Sequence, residues 1–146
     1  MANVFNVARY VLRKCGPMST WKLQKLCYYC QAWSIAWTER PLFDDEFEAW
    51  TNGPVCRTLF NQHKGKFVVS PEEIPAWLQD SADLTEDQID TIDHVLEHYG
   101  ACEPYELREQ THSEDPWILA RGDLPDDVPC NSIISKESMG NYYGGL

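Results

Sequence analysis

The sequence predicts a mainly α protein, a compact helical bundle wound around one central apolar helix with a small β-hairpin attached. Three observations carry this. Residues 20–38 are apolar on nearly every face of a helical wheel, which is the mark of a helix surrounded by others. Several further segments repeat apolar residues at helical spacing between clear caps. One Asn-Gly dipeptide follows an aromatic run of strand character. At 146 residues the chain is expected to be a single domain, residues 1–146, with one sizeable core.

The elements follow in order. From Asn3 to Lys14, Val4, Val7, Ala8, Val11 and Leu12 recur at helical spacing, and Gly16-Pro17 ends that helix. Ser19 or Thr20 caps the central helix, whose Leu23, Leu26, Tyr29, Cys30, Trp33, Ala36 and Trp37 cover most of the circumference. Lys22, Gln24, Lys25, Gln31 and Ser34 interrupt that surface only sparsely. Arg40-Pro41-Leu42-Phe43 leaves it in a turn, and Phe47, Ala49 and Trp50 fit a short strand. Asn52-Gly53 makes the tight turn, because both residues tolerate positive φ. Pro54, with its preset φ, is expected to open a helix holding Val55, Leu59 and Phe60, and Lys66 to Val69 to form the returning strand.

A Pro-containing loop then surrounds Ile74, Trp77 and Leu78. Thr85 caps an amphipathic helix with Glu86 and Asp87 in its first turn, a core face of Ile89, Ile92, Leu96 and Tyr99, and Gly100 as its stop. Pro104 opens a short helix through Leu107. Another starts at Asp115-Pro116-Trp117, with Ser113 or Asp115 as cap. Arg121 to Asn131 reads as loop, and Ser135 to Tyr143 as a last helix.

Charge and composition narrow the function. A net charge of −11 argues against a phosphate-backbone ligand, so nucleic acid is an unlikely partner; it permits a basic protein partner or serves solubility alone. Eighteen aromatic residues (six Trp, seven Tyr, five Phe) must be buried or used in binding. No apolar run approaches a membrane span, so no membrane partner is expected. With no signal peptide in the opening residues, the expected location is the cytoplasm. The six cysteines, Cys15, Cys27, Cys30, Cys56, Cys102 and Cys130, lie mostly in apolar patterns and read as buried free thiols.

Three segments have a chemical reading beside a structural one. His94-Val95-Leu96-Glu97-His98 matches the H-x-x-E-H of inverted zinc peptidases. Both histidines, however, lie opposite the apolar face and are expected to point to solvent. Cys27-Tyr28-Tyr29-Cys30 is a C-x-x-C, but it sits two turns into a helix rather than at the N-terminus where a dipole activates a thiol, so packing is the better reading. Thr111-His112-Ser113-Glu114-Asp115 places a His beside acids and a hydroxyl, yet adjacency in sequence is not triad geometry. Trp117 as core plug and His112 as a loop-fixing hydrogen bonder fit better. No catalytic, metal or cofactor site is therefore assigned.

Four blocks together resemble the Panacea-domain family of SocA-like antitoxins and phage-associated proteins. They are Lys22-Leu23-Gln24-Lys25-Leu26 followed by Tyr28-Tyr29 and Gln31; Arg40-Pro41-Leu42-Phe43; Glu48-Ala49-Trp50 with Gly53-Pro54-Val55; and Thr111-His112 with Asp115-Pro116-Trp117. Cys27 and Cys30 stand where the family tends to have an apolar and a small residue, and His94 and His98 where it carries other polar residues. The resemblance implies a non-enzymatic antitoxin that neutralises a cognate toxin through direct protein–protein binding, with the adjacent gene as the candidate source of that toxin. It also admits a proteolytic adaptor delivering the toxin to an ATP-dependent protease, or a phage-encoded inhibitor of a host defence protein. The candidate partner-binding residues are Phe43, Trp50, Asn52, Gly53, Pro54 and Phe60, on and around the hairpin.

Overall fold

The computed structural model describes all residues from Met1 to Leu146. Its first helix, α1 (Val4–Cys15), begins where Asn3 accepts the Phe5 and Asn6 amide N–H groups, and it ends at Gly16, whose φ of 86° suits glycine. Val4, Val7, Ala8, Val11 and Leu12 form its buried face. A two-residue strand, β1 (Met18–Ser19), leads into α2 (Thr20–Thr38), capped by Ser19 accepting from the Lys22 amide.

The long helix α2 is the spine. Twelve of its residues are buried, including Gln24, Lys25, Gln31 and Ser34, and it packs against α1, the hairpin and three later helices. These are α4 (Glu86–Tyr99), α5 (Pro104–His112) and α7 (Lys136–Gly144). The approach of α7 is close: a Cβ at Gly140 would stand 3.1 Å from Ile35 Cγ2. One core of 31 buried residues draws on the chain from Val4 to Tyr143. With seven α-helices and two small antiparallel sheets, the architecture is mainly α with a small hairpin.

The hairpin pairs β2 (Phe47–Trp50) with β3 (Gly53–Val55), Ala49 opposite Pro54. Here the expected helix start is corrected: Pro54 and Val55 belong to a strand, and the next helix, α3, covers Arg57–His63. Proline is tolerated because Ala49 directs its polar groups away from β3, its N–H to the Ser132 carbonyl and its carbonyl to Arg121. Pro54 therefore faces no acceptor that its missing N–H would leave unpaired. The segment around Lys66 to Val69 does end in a strand, β4 (Val68–Val69), but it pairs with β1 rather than returning to the hairpin. The hairpin's third strand is β5 (Ile133–Ile134), within the segment that followed the Asp- and Pro-rich loop.

Two further boundaries differ. The helix opened by Pro104 runs on to His112. The next helix, α6 (Asp115–Arg121), has Glu114 at its N-cap, not Ser113 or Asp115. Glu114 is drawn inward, accepting from the Tyr29 and Tyr143 hydroxyls at 2.8 and 2.7 Å. Burial raises its carboxyl above the usual range, while those hydroxyl donors oppose the rise. In α4 the buried face is Thr91, Ile92, Val95, Leu96 and Tyr99, with Ile89 only half-buried. No helix is long and apolar enough to cross a membrane.

Candidate functional site

The hairpin is held by side chains reaching its backbone from both sides. From α2, Gln24 accepts the Cys56 amide N–H at 2.8 Å and donates to the Cys56 carbonyl at 3.2 Å. Its amide nitrogen also lies 2.9 Å from His63 Nε2. Gln31, on the same helix, accepts from the Leu42 N–H and donates to the Phe43 carbonyl, both at 2.7 Å. A primary amide can do both at once, which no charged or apolar side chain of that size can.

From the other side, α5 and α6 capture three successive carbonyls at the end of β2. Arg121 donates to Ala49 at 2.7 Å, Trp117 Nε1 to Trp50 at 2.9 Å, and His112 Nε2 lies 2.7 Å from the Thr51 carbonyl. The His112 ring packs on Trp117 with centroids 3.9 Å apart, and the Arg121 guanidinium lies 4.8 Å from the Trp117 ring centre. The same arginine donates to the Pro125 and Val128 carbonyls, so it anchors the acidic loop to the hairpin. His112, which carried the triad reading, is thus a fastener together with Trp117 and Arg121, and the tip they fasten is Thr51-Asn52-Gly53.

Around that tip runs a trough. One cavity of about 520 Å³ is lined by Trp21, Trp50, Asn52, Arg57 and Cys130, among others. A smaller one of about 210 Å³ shares Trp21 and Asn52 and adds Lys25, Tyr105 and Arg108. Arg57 lies 5.4 Å from the Trp50 ring centre and clasps Glu48 at 2.8 Å. That guanidinium holds the Glu48 carboxyl below the usual range, against the opposing effect of its burial. Arg108 Nε donates to Asn52 Oδ1 at 3.3 Å. Gly53, at φ 115°, lies against Lys25: a Cβ there would stand 2.5 Å from Lys25 Cε. The backbone angle therefore favours glycine, and a side chain there would displace the end of Lys25.

The expected partner-binding residues divide by exposure. Asn52 is exposed, Trp50 and Phe60 are half-buried, and Phe43, Gly53 and Pro54 are buried. Phe60 packs under Trp50 with ring centroids 4.9 Å apart, so it positions that indole. Phe43 stacks into the core beside Phe47. Sequence reading missed Trp21, Lys25, Arg57, Tyr105 and Arg108, which come from three helices. The spacing of Trp21 and Lys25, one helical turn apart, was the available signal for two of them. Phe67 and Trp77 are also strongly exposed, at 86% and 80%, and were not singled out.

His94 and His98 are exposed, and no three His, Cys, Asp or Glu side chains stand together as a metal cage would require. Cys27, Cys30 and Cys56 are buried free thiols, and burial raises the pKa of each, which opposes thiolate chemistry. Cys15 is exposed, and Cys102 and Cys130 are half-buried, so the expectation of buried thiols holds for half of the six.

No curated protein and no solved structure matches the chain. A family match does exist over residues 23–118, from the first turn of α2 into α6. It spans most of the spine, the hairpin and two of the fasteners behind it, His112 and Trp117. The chain belongs to the family described as antitoxin SocA-like, Panacea domain.

Proposed function

We propose that this chain is an antitoxin that neutralises a cognate toxin protein by binding it directly, with the Asn52 tip and its flanking trough as the contact surface. The observation that carries this reading is how the residues of the family resemblance are used. Gln24, Gln31, His112 and Trp117 all bind backbone around a protruding hairpin, which stiffens a surface rather than assembling reacting groups. A pre-stiffened surface loses less entropy on association. Trp21, Trp50, Tyr105, Arg57 and Arg108 crowd that surface, and Trp, Tyr and Arg dominate interface energetics. In this reading Phe43, Gly53, Pro54 and Phe60 support the tip, while Trp50 and Asn52 touch the partner. The cations gathered here suit an acidic contact on the toxin, although the chain as a whole is acidic.

Co-expression with the product of the adjacent gene tests the proposal. Wild type is expected to restore growth and to co-purify with an undegraded toxin. A Trp21→Ala, Tyr105→Ala double variant, folded by circular dichroism, is expected to bind at least about 30-fold more weakly, from about 2 kcal/mol of lost anchoring. Unimpaired neutralisation by that variant removes the trough from the reading. A toxin whose level falls in a protease-dependent way points to delivery for degradation. A harmless neighbour overturns the antitoxin assignment to that gene.

A further inference from the structure

Lys25 is unusual in this molecule. Only 1% of its surface is exposed, yet it forms none of the chain's ion pairs. Its ammonium finds a ring face instead, with Nζ 5.3 Å from the centre of Trp21. Its neighbours across the tip are Gly53 and Thr111, and the charge that acts on it, Arg108, has the same sign. A buried charge without a counter-charge is costly, and two cations facing one space add to that cost. The space they face is the cavity of about 210 Å³ lined by Trp21, Lys25, Asn52, Pro104, Tyr105 and Arg108. No carboxylate lines its wall, although Arg108 Nη1 pairs with Glu109 at 3.0 Å, so Lys25 is the cation of the two without a counter-charge.

We propose that this cavity is an oxyanion-binding site, in which Lys25 Nζ and the Arg108 guanidinium together take one carboxylate or phosphate group. An anion there supplies the acceptor that the fold withholds from Lys25. It gains charge-assisted hydrogen bonds from the two cations in an open pocket whose Lys25 wall is buried. The Asn52 carboxamide and the Tyr105 ring border the site and limit its size to a small group. A nucleoside base would have to extend past Trp21 into the wider cavity. Burial, reinforced by Arg108, lowers the Lys25 pKa to about 7, so the site also carries its own reporter. Bound anion favours the ammonium and moves its titration upward. This inference does not depend on the toxin reading, because the anion has two sources: a free small acid, or an Asp or Glu side chain of a bound protein.

The test is an NMR titration of the Lys25 side chain in the full-length protein, identified by its contacts to Trp21. Three additives are compared at matched ionic strength: chloride, inorganic phosphate and N-acetyl-glutamate-N-methylamide. Phosphate or the blocked glutamate is expected to raise the Lys25 titration by about one pH unit at ten times Kd, with chloride leaving it in place. Stronger binding of phosphate identifies a small phosphorylated ligand as the source. Stronger binding of the blocked glutamate identifies a partner's acidic side chain. Arg108→Gln, a change at the rim, is expected to weaken either ligand about tenfold, in keeping with the loss of one charge-assisted contact. A Lys25 titration that neither anion moves overturns the site. So does a response that chloride reproduces, or one that Arg108→Gln leaves at full strength. The two readings separate cleanly: a toxin bound normally by a protein with a silent Lys25 sinks the pocket and spares the antitoxin.

Discussion

Gln24 shows how much one side chain contributes to this fold. Its amide satisfies both backbone groups of Cys56 and meets His63, all inside the core. Gln24→Leu keeps the volume and removes every one of those partners. Each buried polar group left unpaired costs about 1–3 kcal/mol, so the variant is expected to lose about 2–4 kcal/mol in urea unfolding. Gln24→Glu tests the same point differently, since a carboxylate accepts from the Cys56 N–H but donates to nothing. It is expected to be destabilised at neutral pH and to recover partly in acid, where the carboxyl regains a donor. A loss below about 0.5 kcal/mol for both variants would mean that the backbone holds the junction without this residue.

Arg121 acts on an element rather than on a neighbour. It ties the end of α6 to β2 and to the loop that follows, and its Nε is buried without a partner. Arg121→Met keeps the stem over Trp117 but releases the Ala49, Pro125 and Val128 carbonyls. Amide exchange within the β2–β3 hairpin and at Ala49, whose N–H bonds Ser132, is expected to accelerate about 10–100-fold, equivalent to about 1.4–2.7 kcal/mol of local stability, while α2 amides keep their protection. Equal acceleration throughout would place the effect in global unfolding instead. The same contrast of local and distant contacts explains what was legible in the sequence. The caps at Ser19 and Thr85 are read from a few adjacent residues, and the helices begun near Asn3, Ser19, Thr85 and Ser135 were placed within a residue or two. The strand at Ile133 pairs with Glu48, far back in the chain, and the β1–β4 pair is only two residues long. Neither leaves a periodic signal. Pro54 misled because its preset φ suits both a helix start and an extended strand. The tip Asn52-Gly53 was legible as turn chemistry, whereas the trough exists only after α2, α3 and α5 converge on it.

At the scale of the whole molecule, the buried titrating groups set how stability changes with pH. Lys25 has a folded pKa of about 7 against an ordinary 10.5, so between those values the unfolded chain binds the extra proton. Stability therefore rises with pH through that window and is lowest, as far as Lys25 is concerned, below pH 7. His63 acts in the same direction at lower pH. Burial depresses its pKa below 6.5, so acidification into that range favours the unfolded chain. Glu114 opposes them, since its raised carboxyl holds a proton longer in the fold and loses stability as pH rises above 4.5. The buried thiols of Cys27, Cys30 and Cys56 add a loss of stability that sets in as pH approaches 9, where the unfolded thiols ionise. The difference in urea stability between wild type and Lys25→Met from about pH 7.5 to 9 thus isolates Lys25, since the thiols contribute equally to both. Wild type is expected to gain up to about 2 kcal/mol relative to that variant over the range, at about 1.4 kcal/mol for each pH unit per proton. Lys25→Met, which shares every other ionisable group, is expected to show no rise, only the decline the thiols impose toward about pH 9, and to exceed wild type most at the lower pH. The acidic surface repels itself in both proteins alike, so their difference cancels that contribution. Parallel profiles for the two proteins would mean that Lys25 is charged at no cost in the fold, and that some group of the chain already neutralises it.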